Sequence, residues 1–312
     1  MNPQAPGRPI KVSAPAQVWH EGERALQQRT GVAARLAEIG PRVLRDHMPL
    51  QHREFFALLP LLFTGTVDAQ GQPWASLLAG PPGFLSSPAP ALLRIAATPL
   101  PGDPAADHWS PGAAVGLLGL QAHTGRRNRL NGWIGGTGDA MAVRVGQSFG
   151  NCPKYIHPRE AVYAPDAQAP VQVHRSGQMD EASLRIVREA DTFFIASAHP
   201  EAAVSQDPAR GVDVSHRGGP AGFVAVEGDR LLVPDYVGNT FFNTLGNLQL
   251  QPRCGLLFID FARGTRVHLA CRARLLPDAP DAARWPGALR LLELQVHECV
   301  RIEGGLPLRW HG

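Results

Sequence analysis

The chain has 312 residues, 44% of them hydrophobic and 18% charged, with a net charge of +3. That composition excludes a disordered chain, the small charge excludes an electrostatic nucleic-acid binder, and the length allows one large domain or two ordinary ones with a sizeable core. Four cysteines, Cys152, Cys254, Cys271 and Cys299, stand far apart with no CxxC pair, which speaks against zinc and leaves no metal expected. They read as reduced thiols of a cytoplasmic protein. The N-terminus lacks the apolar core of a secretion signal, and no apolar run reaches the roughly 18 residues of a membrane span, so a soluble protein is expected.

Residues 1–17 are polar and proline-rich and read as a flexible arm. Over 19–47, Leu26, Val32, Leu36, Ile39, Val43 and Leu44 recur at helical spacing, with an interruption expected at Gly40-Pro41. A short helix follows at 52–59. The period then changes to two, and residues 61–67, 74–79, 92–97, 113–120, 129–134 and 140–145 read as strands. Residues 68–71 form a turn between the first two, and 98–111, rich in proline and glycine, are not helical. Short strands at this spacing indicate a barrel or sandwich over 18–163. After a linker at 164–170, APDAQAP, the scheme restarts over 171–312 with a helix capped by Asp180 and a strand at 192–197.

The restart is a repeat. GPPGF at 80–84 returns as GPAGF at 219–223, Gly116-Leu117-Leu118 as Gly255-Leu256-Leu257, and Gly125 and Arg127 as Gly264 and Arg266, all 139 residues later. The matches cluster at turns and strand starts, where glycine has a conformational job. The expected fold is mainly β (α+β), with two copies of one β-barrel unit. The copies differ where the second has NTFFNTLGNLQL, read as a helix, and the first has PLPGDPAADHWSPG, which cannot supply the same polar face. A ligand site is therefore expected in the second copy, with the first closing it from the other side.

Within 212–255 the polar residues fall where elements end. Ser215, His216 and Arg217 end one strand, and Asp235 and Tyr236 end the next. Asn239, Asn243 and Asn247 recur every fourth residue, so one helix would carry them on one face, toward a ligand or toward solvent. After the last strand of the first copy, QSFGNCPKYIHPR gathers Ser148, Asn151, Lys154 and Tyr155 in a loop. Those groups suit an anion or a polar ring edge, or a surface loop capped by its own asparagine. Residues 146–150 also satisfy GxSxG with Ser148 as nucleophile, although the β-rich surroundings lack the alternation that elbow needs. Arg126, Arg127 and Arg129 read as solvated charges on a hairpin end, and His47, His52, His123 and His157 as structural. There is no P-loop and no GxGxxG after a strand.

DVSHRGGPAGF, PDY, GNTFFNTLGN and GLLFIDF, in that order and with QSFGNCPKYI upstream, resemble the FMN-binding split barrels related to pyridoxamine 5′-phosphate oxidase, specifically a two-barrel subgroup. The resemblance implies two tandem split β-barrels with flanking helices, and FMN as cofactor. It puts Val214, Ser215, His216 and Arg217 along the ring and ribityl chain. Asp235, Tyr236, Asn239, Asn243 and Asn247 take the ribityl-phosphate end, where a helix N-terminus near Asn239 favours a dianion. The oxidases use arginine and lysine where this chain has Gly238-Asn239-Thr240-Phe241, so phosphate charge falls to Arg217, a first-copy arginine, Lys154 or the helix end. The vitamin substrate is not carried over. The activity implied is hydride or electron transfer through FMN, with a small-molecule substrate or redox partner. A non-catalytic FMN carrier, a serine hydrolase using Ser148, and a haem protein ligated by His216 or His123 stay open. So does a homodimer, since two barrels in one chain imitate the dimer of single-barrel relatives.

Overall fold

The computed structural model describes residues 18–137, 141–167, 169–277 and 284–312. The arm read at 1–17 lies outside them, as do Gln168 of the linker and Ala140 at the start of one expected strand.

Three helices come first. In α1 (Glu21–Arg29) the His20 ring accepts from Gly22 N and the Glu23 side chain accepts from His20 N, a reciprocal cap. Gly31, at φ +72°, separates it from α2 (Ala33–Val43). The interruption is there and not at Gly40-Pro41. In the last turn Pro41 costs only one helical hydrogen bond, and Gly40 lies against Trp19, where a Cβ would come within 2.7 Å of Nε1. α3 (Leu50–Ala57) leads into the sheets.

The first repeat supplies β1 (Leu61–Val67), β2 (Pro73–Ala79), β3 (Leu85–Ala89), β4 (Leu92–Ile95), β5 (Ala114–Gln121), β6 (Arg126–Thr137), β7 (Met141–Gly150) and β8 (Glu160–Tyr163). The second supplies β9 (Gln172–Ser176), α4 (Glu181–Glu189), β10 (Thr192–Ala198), β11 (Val212–Gly218), β12 (Ala225–Glu227) and β13 (Arg230–Tyr236). It closes with α5 (Asn243–Leu250), β14 (Arg253–Asp260), β15 (Thr265–Leu276), β16 (Ala288–Glu303) and β17 (Leu308–His311). One antiparallel sheet runs β2-β1-β5-β6-β7-β4-β3 and the other β11-β10-β14-β15-β16-β13-β12. The orders correspond strand for strand, because β2, β5 and β6 begin 139 residues before β11, β14 and β15. The fold is mainly β, with two split barrels in tandem and helices at their flanks.

Each repeat has its own core, with Phe55, Leu62, Leu117 and Val143 in the first and Val187, Phe193, Leu256 and Phe258 in the second. A third apolar cluster joins them, in which Phe63 stacks on Phe194 with ring centroids 3.5 Å apart. The repeated Gly116 and Gly255 lie inside strands, not at turns. A Cβ on Gly116 would come within 2.6 Å of Val212 O, and one on Gly255 within 2.3 Å of Pro73 O. Val212 and Pro73 are themselves 139 residues apart, so the two contacts are related by the repeat. The repeated glycines thus let each barrel's backbone approach the other's.

Candidate functional site

Strand alternation on β11 divides its side chains between two sides. Asp213, Ser215 and Arg217 face α5 and β6, whereas Val214 joins the apolar cluster between the barrels, fully buried. On β6 the same rule turns Arg127 and Arg129 inward and leaves Arg126 exposed over the Phe55 ring. The reading of all three as solvated charges therefore holds for Arg126 alone.

Arg129, 5% exposed, reaches across from the first barrel. Its Nη1 donates to Asp213 Oδ1 and Asn243 Oδ1, both at 3.1 Å, and its Nη2 to Ser215 Oγ at 2.5 Å. Asp213 also accepts from Asn131 Nδ2 at 2.8 Å and Asn247 Nδ2 at 3.0 Å, and Ser215 Oγ pairs with Thr244 Oγ1 at 2.8 Å. Asn243 Nδ2 donates to Glu23 Oε1 at 2.6 Å, which brings α1 under the site. That reach is possible because α1 and α5 cross at two glycines: a Cβ on Gly22 would come within 2.2 Å of Gly246 O. Burial, and then the Asp213 charge, push the Glu23 carboxyl well above the usual range, while burial lowers the Arg129 guanidinium.

Over this network lies a cavity of about 230 Å³ between the barrels. Ser215, His216, Arg217, Asp235, Tyr236, Asn239, Asn243 and Asn151 line it, together with Arg127, Arg129, Arg290 and the first turn of α5. Arg217 Nη1 donates to Asp235 Oδ1 at 2.6 Å, and Arg290 Nε lies 3.3 Å from Asp235 Oδ2. Arg127 has no carboxylate partner among the described residues; its Nη1 lies 3.1 Å from His216 Nδ1, and burial lowers its guanidinium to about 10. Burial, reinforced by Arg127, holds His216 down at about 3, so the imidazole is neutral and Nδ1 accepts. Four buried polar atoms on the cavity residues have no hydrogen-bond partner: Arg127 Nε, Arg129 Nε, Asn151 Oδ1 and Arg290 Nε.

Four expected site residues are elsewhere. Asn247 is 1% exposed and bonded to Asp213 and Ser197 beneath the cavity. Val214 belongs to the inter-barrel core. Lys154 is exposed and off the cavity, since the segment after β7 turns it outward. Ser148 lies inside β7, not in a loop, and is 0% exposed with Oγ 3.0 Å from His52 Nδ1. With no helix after it and no path to solvent, it is not a nucleophile elbow. The asparagine stripe also divides. α5 starts at Asn243, because Thr240 and Phe242 take positive φ, and Asn239 sits in the loop before it, accepting from Phe241 N at 3.1 Å.

Among the described residues one group has ligand-like spacing, His20, Glu21 and His199. Backbone N–H groups donate to Nδ1 of both rings, from Gly22 and Glu201 at 3.1 Å. Each neutral ring then carries its proton on Nε2, the atom a metal would need, so the group does not suit a cation.

Paired antiparallel barrels with a cationic cavity between them define a split-barrel fold. Residues 179–299, within the second repeat, match the family model described as pyridoxamine 5′-phosphate oxidase. No curated protein matches the chain. Solved structures resemble part of the chain. A putative pyridoxamine 5′-phosphate oxidase of Lactobacillus delbrueckii has 13% identity and a TM-score of 0.31, covering 40% of this chain and 94% of its own. A FAD-binding protein of Mesorhizobium loti has 13% identity and 0.28, covering 42% and 97%, and the heme storage protein HutZ of Vibrio cholerae 12% and 0.26, covering 41% and 92%.

Proposed function

We propose that the chain is a cytoplasmic FMN-binding oxidoreductase, with residues 18–163 and 171–312 as its two units and the cofactor held between them. The observation that carries this is the charge of the cavity. Arg127, Arg129, Arg217 and Arg290 meet only Asp213 and Asp235, leaving an excess of two positive charges. The Glu23 carboxyl, pushed upward by burial, offsets little of it. A phosphate monoester carries about −1.5 to −2 at pH 7 and three strong acceptor oxygens.

Arg127, with the unpaired Nε of Arg129 and the free amides opening α5, would hold the phosphate. Asp235, Asn239 and Asn151 would meet the ribityl hydroxyls. Bound flavin supplies hydride or electron transfer. The chain's part is to orient it and to exclude water with Thr30 and Val32 from the α1–α2 turn, beside a neutral His216 whose proton is on Nε2. That tautomer also disfavours haem on His216, because iron would need the Nε2 lone pair.

The test is titration of the apoprotein with FMN, followed by flavin fluorescence, for the wild type and Arg127→Met. The wild type should bind one FMN with the variant clearly weaker. A wild-type protein that is colourless as purified and fails to bind added FMN overturns the reading. Binding without oxidation of any reduced nicotinamide would leave an FMN carrier.

A further inference from the structure

A second cavity, of about 390 Å³, lies on the other side of His216, which lines both. Its base is the stacked pair Phe63 and Phe194, one ring from each barrel, and Tyr163, Phe261 and Trp310 contribute to its walls. A two-stranded ribbon closes it, β8 against β17, with Leu308 opposite Tyr163 and Trp310 opposite Ala161. Both strands lie outside residues 179–299, so parts of the chain beyond the matched family segment complete this chamber.

Of its polar lining residues, Gln121 is tied to Thr124, His157 to the Gly219 carbonyl, and His123 is exposed, while Thr192 and His216 face it from the β10–β11 ladder. Thr192 is 5% exposed, and its buried Oγ1 has no partner. His216 accepts at Nδ1 from Arg127, so its proton is on Nε2, which has no protein acceptor among the described residues. Thr192 opposes Gly218 and Phe194 opposes His216 in the β10–β11 ladder, which makes Thr192 and His216 diagonal neighbours on one face. Charge is cancelled or kept at the rim. Arg159 pairs with Asp191 and lies 4.4 Å over the Phe261 ring, while exposed Glu160 has no ion-pair partner among the described residues.

We infer that this cavity is a binding chamber for a flat, uncharged, mainly apolar molecule bearing carbonyl oxygens, of the quinone class, seated beside the flavin. The inference rests on the FMN reading for its neighbour, though not for its own chemistry. Aromatic walls stack a ring by area and quadrupole. The Thr192 hydroxyl and His216 Nε2–H donate to the carbonyls, and an anion would meet Glu160 and no free cation.

The FMN-loaded protein is titrated calorimetrically with 2-methyl-1,4-naphthoquinone and with 1,4-naphthoquinone-2-sulfonate, and FMN affinity is measured in parallel. The neutral quinone should bind at least about tenfold tighter than the sulfonate, the scale of one unmatched charge near the surface. Ala161→Trp, which fills the chamber, should abolish quinone binding and leave FMN affinity within about twofold. Thr192→Val, which removes an unpartnered hydroxyl at little cost to packing, should weaken the quinone about tenfold with FMN unaffected. Equal binding of sulfonate and neutral quinone, or quinone binding unchanged in both variants, overturns the assignment. So does a loss of FMN affinity in Ala161→Trp as large as that in Arg127→Met, which would make the chamber part of the flavin site. If the wild type binds no FMN, the FMN reading falls alone, and the same titrations on apoprotein still decide the chamber.

Discussion

Replacing Arg127 with methionine should move ligand affinity and protein stability in different directions. In the folded protein this guanidinium is largely withdrawn from water, has an unpartnered Nε, and meets no carboxylate among the described residues. Burial lowers it to about 10 from an ordinary 12.5, so holding it charged costs the apoprotein something on the order of 3 kcal/mol. Methionine fills similar volume without that cost, and the apoprotein should stay level or gain up to about 3 kcal/mol in urea unfolding. Against a bound phosphate the same residue supplies a hydrogen bond to a charged group, about 1.5–3 kcal/mol, or roughly 10- to 150-fold in Kd. The assays are FMN titration and urea unfolding of the apoprotein, run on the same preparations. A variant that loses stability while keeping wild-type FMN affinity would refute the reasoning, since Arg127 would then be a structural residue and not the ligand's counter-charge.

Asp213 collects Arg129, Asn131 and Asn247, so Asp213→Ala leaves a buried guanidinium uncompensated and should cost about 3–5 kcal/mol in urea unfolding; a loss below about 1 kcal/mol would mean that water replaces it freely. His52, buried beside Ser148, is held down at about 4, whereas an unfolded chain takes up that proton near 6.5. Stability should therefore fall as pH drops from 6.5 to 4, and His52→Gln should flatten that limb by up to about 1.4 kcal/mol per pH unit, with an identical slope counting against the assignment. Gly246→Ala would drive a Cβ to 2.7 Å from Glu23 N and should both destabilise the fold and weaken FMN binding by displacing Glu23; a neutral effect on both would show that α1 can move away. Titration of the wild type should saturate at one FMN per chain, and two equivalents bound would show that the position related to the site by the repeat is open.

Period-two patterning and turn signals located β1, β2, β4 to β7 and β10, several of them buried on both faces. β3, β8, β9, β12, β15, β16 and β17 escaped; β3 and β12 are short hairpin arms with exposed residues in which nothing alternates clearly. The start of α5 was illegible for a different reason. Thr240 and Phe242 hold left-handed backbone that their side chains disfavour, so local propensity gives no sign that the helix waits until Asn243. The site was half legible. Polar strand ends and the two helical asparagines showed in the second repeat, but the residues that complete the site come from far away. Glu23 arrives from 220 positions upstream through a glycine crossing, and Arg127 and Arg129 come from the other barrel. The alternation 127, 129 on a strand, with 126 facing out, was a readable signal for the last two; the glycine crossing left none.

The repeat also explains why one site opens and its counterpart does not. Adding 139 to Arg127, or subtracting it from Asp213 and Ser215, gives Arg266, Trp74 and Ser76 around the counterpart position. The arginine is kept there, yet Arg266 is 0% exposed, donates to Gly304 O, and leaves Nε and Nη1 without partners. Trp74 stands where Asp213 would accept, packing with Ala105, Ala270, Val300 and Ile302, so an indole and aliphatic side chains fill the volume that is a cavity on the other side. In place of α5, the first repeat has only a 3-10 turn at Ala106–His108, which opens no comparable row of free amides. The first repeat lacks the helix end that would offer amides to an anion, and its tryptophan takes up the space. What survives in the first barrel is its outward contribution: the Gly116 contact that brings the backbones together, and the pair Arg127 and Arg129 directed into the second barrel's cavity. On the proposed reading the first repeat serves as one wall of the cavity in the second.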